Sequence, residues 1–78
     1  MPESPFLEEA RSLVATVVVD DVSDADPEED LRDWGLDSIR LVGLLADLRA
    51  EGVVIELEEL AGEPTLQGLA GALERARP

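Results

Sequence analysis

"WGLDSIRLVGLL", Trp34 to Leu45, decides how this chain is read. Gly35 suits a left-handed cap ending a preceding turn, and Asp37-Ser38 stands where a new helix begins. The spacing predicts a helix from about Ser38 to Ala50, closed by Gly52. At 100° per residue, Leu41, Leu44, Leu45 and Leu48 form one stripe that faces a core. Ile39, Val42, Gly43 and Ala46 gather on a second, uncharged flank, with Ile39 nearly opposite the core; Arg40 and Asp47 take a third side. For Val42 two readings stand: it widens the core stripe, or with Ile39 it forms a docking face. Ser38 also has two. Either it is the N-cap itself, or Asp37 caps and leaves the serine hydroxyl at the first helical position, near the positive end of the helix dipole.

Outward from this segment, Ser4-Pro5 reads as a helix start. Phe6, Leu7, Ala10, Leu13, Val14, Val17 and Val18 then share one side of an unbroken helix, which is favoured over a strand for the β-branched "VATVVV". "DDVSDADPEED" is a charged loop leading into a short helical turn near residues 27–34. After Gly52, Val54, Ile55 and Leu57 are expected to pack along an extended link; a strand over residues 53–57 is the competing reading. "EELAG" allows one helical turn. Thr65 caps a last helix carrying Leu66, Leu69, Ala70, Leu73 and Ala76. Gly68 and Gly71 are expected to weaken it by roughly 1 kcal/mol each relative to Ala. The expected fold is all-α: one domain over residues 1–78, a small four-helix bundle with a long first loop and a short third helix.

Composition narrows the chemistry. Seventy-eight residues allow one thin core, and with Phe6 and Trp34 the only aromatics it must be built from Leu, Val, Ile and Ala. There is no Cys and no His, which removes disulfides, thiolate or imidazole metal sites, and any Ser-His-Asp or Cys-His arrangement. Nineteen acidic residues against six Arg give a net charge of −13, which repels nucleic acid and anionic lipid and steers toward basic protein surfaces. Asp24, Asp26 and Glu28 invite a calcium reading, but the sixth and twelfth positions of that loop are Glu29 and Gly35, where an EF-hand needs Gly and Glu. A P-loop needs a Lys, and there is none. "MPESP" lacks the basic start and apolar run of a signal peptide, so a cytoplasmic, free-standing protein is expected.

Gly35, Leu36, Asp37, Ser38 and Ile39 match in order the Gly-Leu-Asp-Ser-apolar pattern of a known attachment site. The chain thereby resembles acyl carrier proteins and the carrier domains of nonribosomal peptide and polyketide assembly lines. "EDLRDWGLDS" is similar to that family's acidic lead-in, and "LEELAGEPTLQGLAGAL" to its closing segment, so the resemblance runs from about Asp26 to Ala76. It implies that a phosphopantetheinyl transferase moves 4′-phosphopantetheine from coenzyme A onto Ser38, with Gly35, Leu36 and Asp37 forming the rest of the attachment motif. The arm's thiol then carries an acyl thioester, and the carrier itself catalyses nothing. "DSIR" with the later "EPTL" is most similar to aryl carriers of siderophore-type nonribosomal pathways. The implied partners are an adenylating enzyme acting in trans and condensing, tailoring or thioesterase enzymes, all visiting a monomeric carrier. Ile39, Arg40, Val42 and Trp34 are the candidate partner contacts. Arg40 is read either as a contact to the arm's phosphate or to a partner enzyme, or as a local pair with Asp37 or Asp33; for Trp34 the other reading is packing over the loop. A fatty-acyl or polyketide carrier and an unmodified acidic helical adaptor are the alternatives.

Overall fold

A computed structural model describes residues 5–19 and 21–77. Four helices form in chain order: α1 (Pro5–Val17), α2 (Ser38–Ala50), α3 (Leu57–Ala61) and α4 (Leu66–Ala76), with a 3₁₀ turn at Leu31–Trp34 inside the long first connection. Ser4, read as the first cap, lies outside the described residues. Among the described residues there is no strand, so 53–56 is an extended link and Leu57 begins α3. The four-helix expectation therefore holds, and α2 begins and ends where its periodicity placed it.

Every buried side chain among the described residues is Leu, Val, Ile or Ala, as an almost aromatic-free composition requires. Leu7, Ala10 and Val14 of α1 meet Leu66, Leu69 and Leu73 of α4 in one continuous cluster. Leu41, Leu44 and Leu48 of α2 close it from the side, and Leu60 of α3 fills the remaining gap. The first connection is not loose. Val22, Ala25, Leu31 and Leu36 are buried in the same cluster, and the Arg11 guanidinium donates to the carbonyls of Val22 (2.7 Å) and Ala25 (2.8 Å), drawing the loop onto α1. Leu31 N–H donates to the Pro64 carbonyl at 2.8 Å and Gln67 N–H to that of Pro27 at 2.9 Å, so the start of α4 also holds the loop. At the far end, Arg77 pairs with Glu9, fastening the end of α4 to the N-terminal half of α1.

Four expectations need correction. The first helix stops at Val17, although Val18 is still buried and its N–H reaches the Val14 carbonyl at 3.1 Å. The helical turn before Gly35 is shorter than 27–34, because Pro27 to Glu29 form a separate turn in which the Asp26 carboxylate accepts from Glu28 N–H. In the link after α2, Val53 and Ile55 are buried while Val54 and Leu57 are exposed. An extended chain alternates its faces, so Val53 and Ile55 point inward together and Val54 points out.

The fourth concerns Gly68. A Cβ there would overlap the backbone oxygen of Glu63, so Gly is required by the tight turn from α3 into α4. Gly68→Ala is therefore expected to destabilise, by about 1–3 kcal/mol as overpacking does. At Gly71 a Cβ meets only the movable Arg75 guanidinium, at 3.4 Å, and Gly71→Ala should stabilise by up to about 1 kcal/mol. Urea midpoints of the two variants should move in opposite directions; a shared upward shift would contradict the packing of this turn.

Candidate functional site

Gly35 turns the chain at φ 96°, a conformation that other residues adopt only with strain, and its N–H closes the preceding turn on the Arg32 carbonyl. The chain re-enters helix at once. Asp37 is the N-cap of α2: its Oδ1 accepts from Arg40 N–H at 2.8 Å. That leaves Ser38 without the capping role. The serine is the first residue of α2, it is exposed, and its hydroxyl makes no hydrogen bond among the described residues. Capping is done by its neighbour, so the hydroxyl is left free at the positive end of a thirteen-residue helix.

Ser38 also borders a groove. Arg32, Leu36, Asp37, Ser38, Leu41, Leu57, Ala61 and Pro64 enclose a hollow of about 150 Å³ between the start of α2 and α3. Leu36 is itself buried and forms part of the hollow's apolar floor. The donor set fits a phosphate-linked arm: an unspent hydroxyl, a helix N-terminus that favours anions, one guanidinium and an apolar hollow beside them. A gap lined mainly by buried side chains is far smaller. The gap among Val14, Leu31, Leu36, Leu41, Leu44, Leu60 and Leu69 is about 10 Å³, room for about one water molecule.

The residues read as partner contacts divide into two groups. Ile39 is 83% exposed and Val42 51%, so the second flank of α2 stands free of the core, and Leu45 beside it is half-buried. Val42, Leu45, Ala46, Ile55 and Leu57, together with Arg49 and Glu56, line a second shallow groove that continues this flank toward α3. Leu57 is a member that sequence reasoning assigned to packing. Arg40 and Trp34 also make hydrogen bonds within the chain. Arg40 donates through Nη1 to the Val17 carbonyl at 3.0 Å and lies 3.6 Å from Asp37. It thus satisfies the end of α1, whose last turn has no basic residue. Trp34 is half-buried and its indole N–H donates to Glu29 at 2.8 Å, so it packs over the loop. No motif could have revealed the Arg40–Val17 bond, because its partners are 23 residues apart.

Among the described residues no group of three or more acidic side chains is placed to hold a metal ion, and no helix is long and apolar enough to cross a membrane.

Comparison with known proteins gives a consistent picture. The family described as "Phosphopantetheine attachment site" matches residues 8–73. A pseudomonine synthase of Pseudomonas entomophila is 45% identical over 49 residues, 63% of this chain and 8% of its own length. An isochorismatase of Bacillus subtilis is 37% identical over 60 residues, 77% of this chain and 19% of its own. A nonribosomal peptide synthetase of Emericella nidulans is 33% identical over 61 residues, 78% of this chain and 3% of its own. The chain thus spans less than a fifth of each of these relatives. No solved structure gives a significant match.

Proposed function

Since the chain belongs to the phosphopantetheine attachment-site family, carriers and not catalysts, we propose that residues 1–78 form one carrier domain whose arm is attached at Ser38. The observation that carries this reading is the free, exposed Ser38 hydroxyl beside a cap that Asp37 supplies. The arm comes from coenzyme A and supplies a thiol that holds an acyl group as a thioester. The chain's own residues have simpler work. Asp37 fixes the first turn of α2, Gly35 sets the shoulder on which Ser38 stands, and Leu36 anchors that shoulder in the core. Tethering keeps the cargo at a high effective concentration for each visiting enzyme. Incubation with coenzyme A, magnesium and a broad phosphopantetheinyl transferase should add one arm to the peptide containing Ser38. A folded chain that accepts none refutes the proposal.

The cargo we propose is an aryl or aminoacyl group, loaded by an adenylating enzyme in trans and passed to condensing, tailoring or thioesterase enzymes of a nonribosomal-peptide-like pathway. One relative is named as a nonribosomal peptide synthetase and another as a pseudomonine synthase, and the third is named isochorismatase, for isochorismate, a ring-bearing carboxylic acid. The closely packed interior supports the same reading, since an alkyl chain would have to prise the helices apart. Attachment of an octanoyl arm should leave the thermal midpoint essentially unchanged; clear stabilisation would favour the fatty-acyl alternative.

Ile39 and Val42 form the surface that visiting enzymes read. Ile39→Asp and Val42→Asp should reduce partner turnover at least tenfold, equivalent to about 1.4 kcal/mol, while unfolding as cooperatively as the wild type. Loss of cooperative unfolding in Ile39→Asp would return this flank to the core.

A further inference from the structure

Three of this chain's six arginines are committed to the fold. Arg11 holds loop carbonyls, Arg40 holds the end of α1, and Arg77 holds Glu9. Arg32 is used differently. Its Nε lies 3.0 Å from each Asp30 oxygen and its Nη2 bonds Asp30 Oδ2, a side-on grip on one carboxylate. Asp30 is anchored in turn as the cap of the 3₁₀ turn, accepting Arg32's own backbone N–H at 2.9 Å. The Nη1 edge of the guanidinium has no partner among the described residues, so part of the fork stays open. This open cation lines the same groove as Ser38.

The groove needs one. Asp37 lines it too, and the chain as a whole carries −13, so a new anion at Ser38 meets like charge from the start. Arg40 does not supply the offset. It lies two residues from Ser38, about 200° around the helix, and its guanidinium is turned to Val17.

We propose that Arg32 is the cation that receives the phosphodiester carried on Ser38, and that Asp30 is a positioning residue that holds the guanidinium with its Nη1 edge open. The inference rests on Ser38 being the attachment site. Arg32 suits the role chemically. Its planar fork can serve two anions at once, and the side chain is already ordered, so it gives up less freedom on taking a second acceptor. Arg32 is charged at any working pH, and its hydrogen bond to Asp30 holds its pKa above the ordinary value and that of Asp30 below the usual carboxylate range.

The test uses the full chain before and after loading with unacylated coenzyme A, as wild type, Arg32→Gln, Arg32→Lys, Asp30→Asn and Arg40→Gln. Loading is followed by intact mass, and the phosphodiester by its ³¹P resonance. The ³¹P signal of Arg32→Gln should be displaced from wild type toward that of free phosphopantetheine. Arg32→Lys and Asp30→Asn should fall between, and Arg40→Gln should match wild type. Within the wild type, the Arg32 Nε–H resonance should move on loading. Should Arg32→Gln fail to fold, that wild-type comparison decides alone. A chain that loads normally with an unmoved Arg32 resonance, or with the same ³¹P signal in folded Arg32→Gln, overturns the role of Arg32 and leaves Ser38 standing. A folded wild type that accepts no arm overturns both.

Discussion

Ser38→Ala is expected to abolish arm attachment completely, with no mass gain after prolonged incubation with coenzyme A and transferase. The other described hydroxyls are poor substitutes for structural reasons. The Thr65 hydroxyl is occupied as the cap of α4, accepting from Gly68 N–H at 2.9 Å, and that of Thr16 donates to the Leu13 carbonyl at 2.6 Å. Ser12 lies in the body of α1 and Ser23 in the loop, neither at a helix start. The substitution should not disturb the fold, because Asp37 keeps the cap and Ala is a good residue in a first turn. Unchanged helicity by circular dichroism with no mass gain is the expected pair of results. Persistent addition to Ser38→Ala would show that another side chain carries the arm.

The largest effect on stability is expected from Leu73→Ala. Leu73 is fully buried in α4 among the side chains that join α1 to α4. Truncating such a leucine costs about 2–5 kcal/mol, a transfer term plus an unfilled cavity. Small domains lie near the lower end of the 5–15 kcal/mol range of native stabilities, so this change removes a large share of the total. The urea midpoint should fall by a third or more, or the variant should already be partly unfolded in buffer. Leu45→Ala, at a half-buried position, should cost much less. Equal losses at the two sites would mean that α4 is not the centre of the core.

What could be read from residue order was mainly local. The bounds of α2, the Thr65 cap, the left-handed Gly35 and the exposed Ile39–Val42 flank all follow from spacing and residue chemistry within one helix turn. What escaped depends on distant chain segments meeting. Gly68 looks like a flaw in α4 until the Glu63 carbonyl is seen against it. Arg40 looks like a badly placed charge in a first turn until its bond to Val17 shows it completing a different helix. Arg11 gives no hint in sequence that it gathers carbonyls 11 and 14 residues away. The error at Val54 was one of phase, and Leu57 is exposed because it opens α3 instead of continuing the link. A run of apolar residues signals burial but not which alternate members turn inward, and here Val53 and Ile55 do.

The pairing of Arg77 with Glu9 has a mechanical consequence. Because the end of α4 lies against the early turns of α1, the described chain enters and leaves the bundle on the same side. Tension applied through the two ends therefore loads the α1–α4 seam one contact after another, as a zipper is drawn, instead of straining all its contacts at once. The helix that bears Ser38 lies outside the direct line of pull, so stretching the chain opens α1 from α4 before it disturbs the point of attachment.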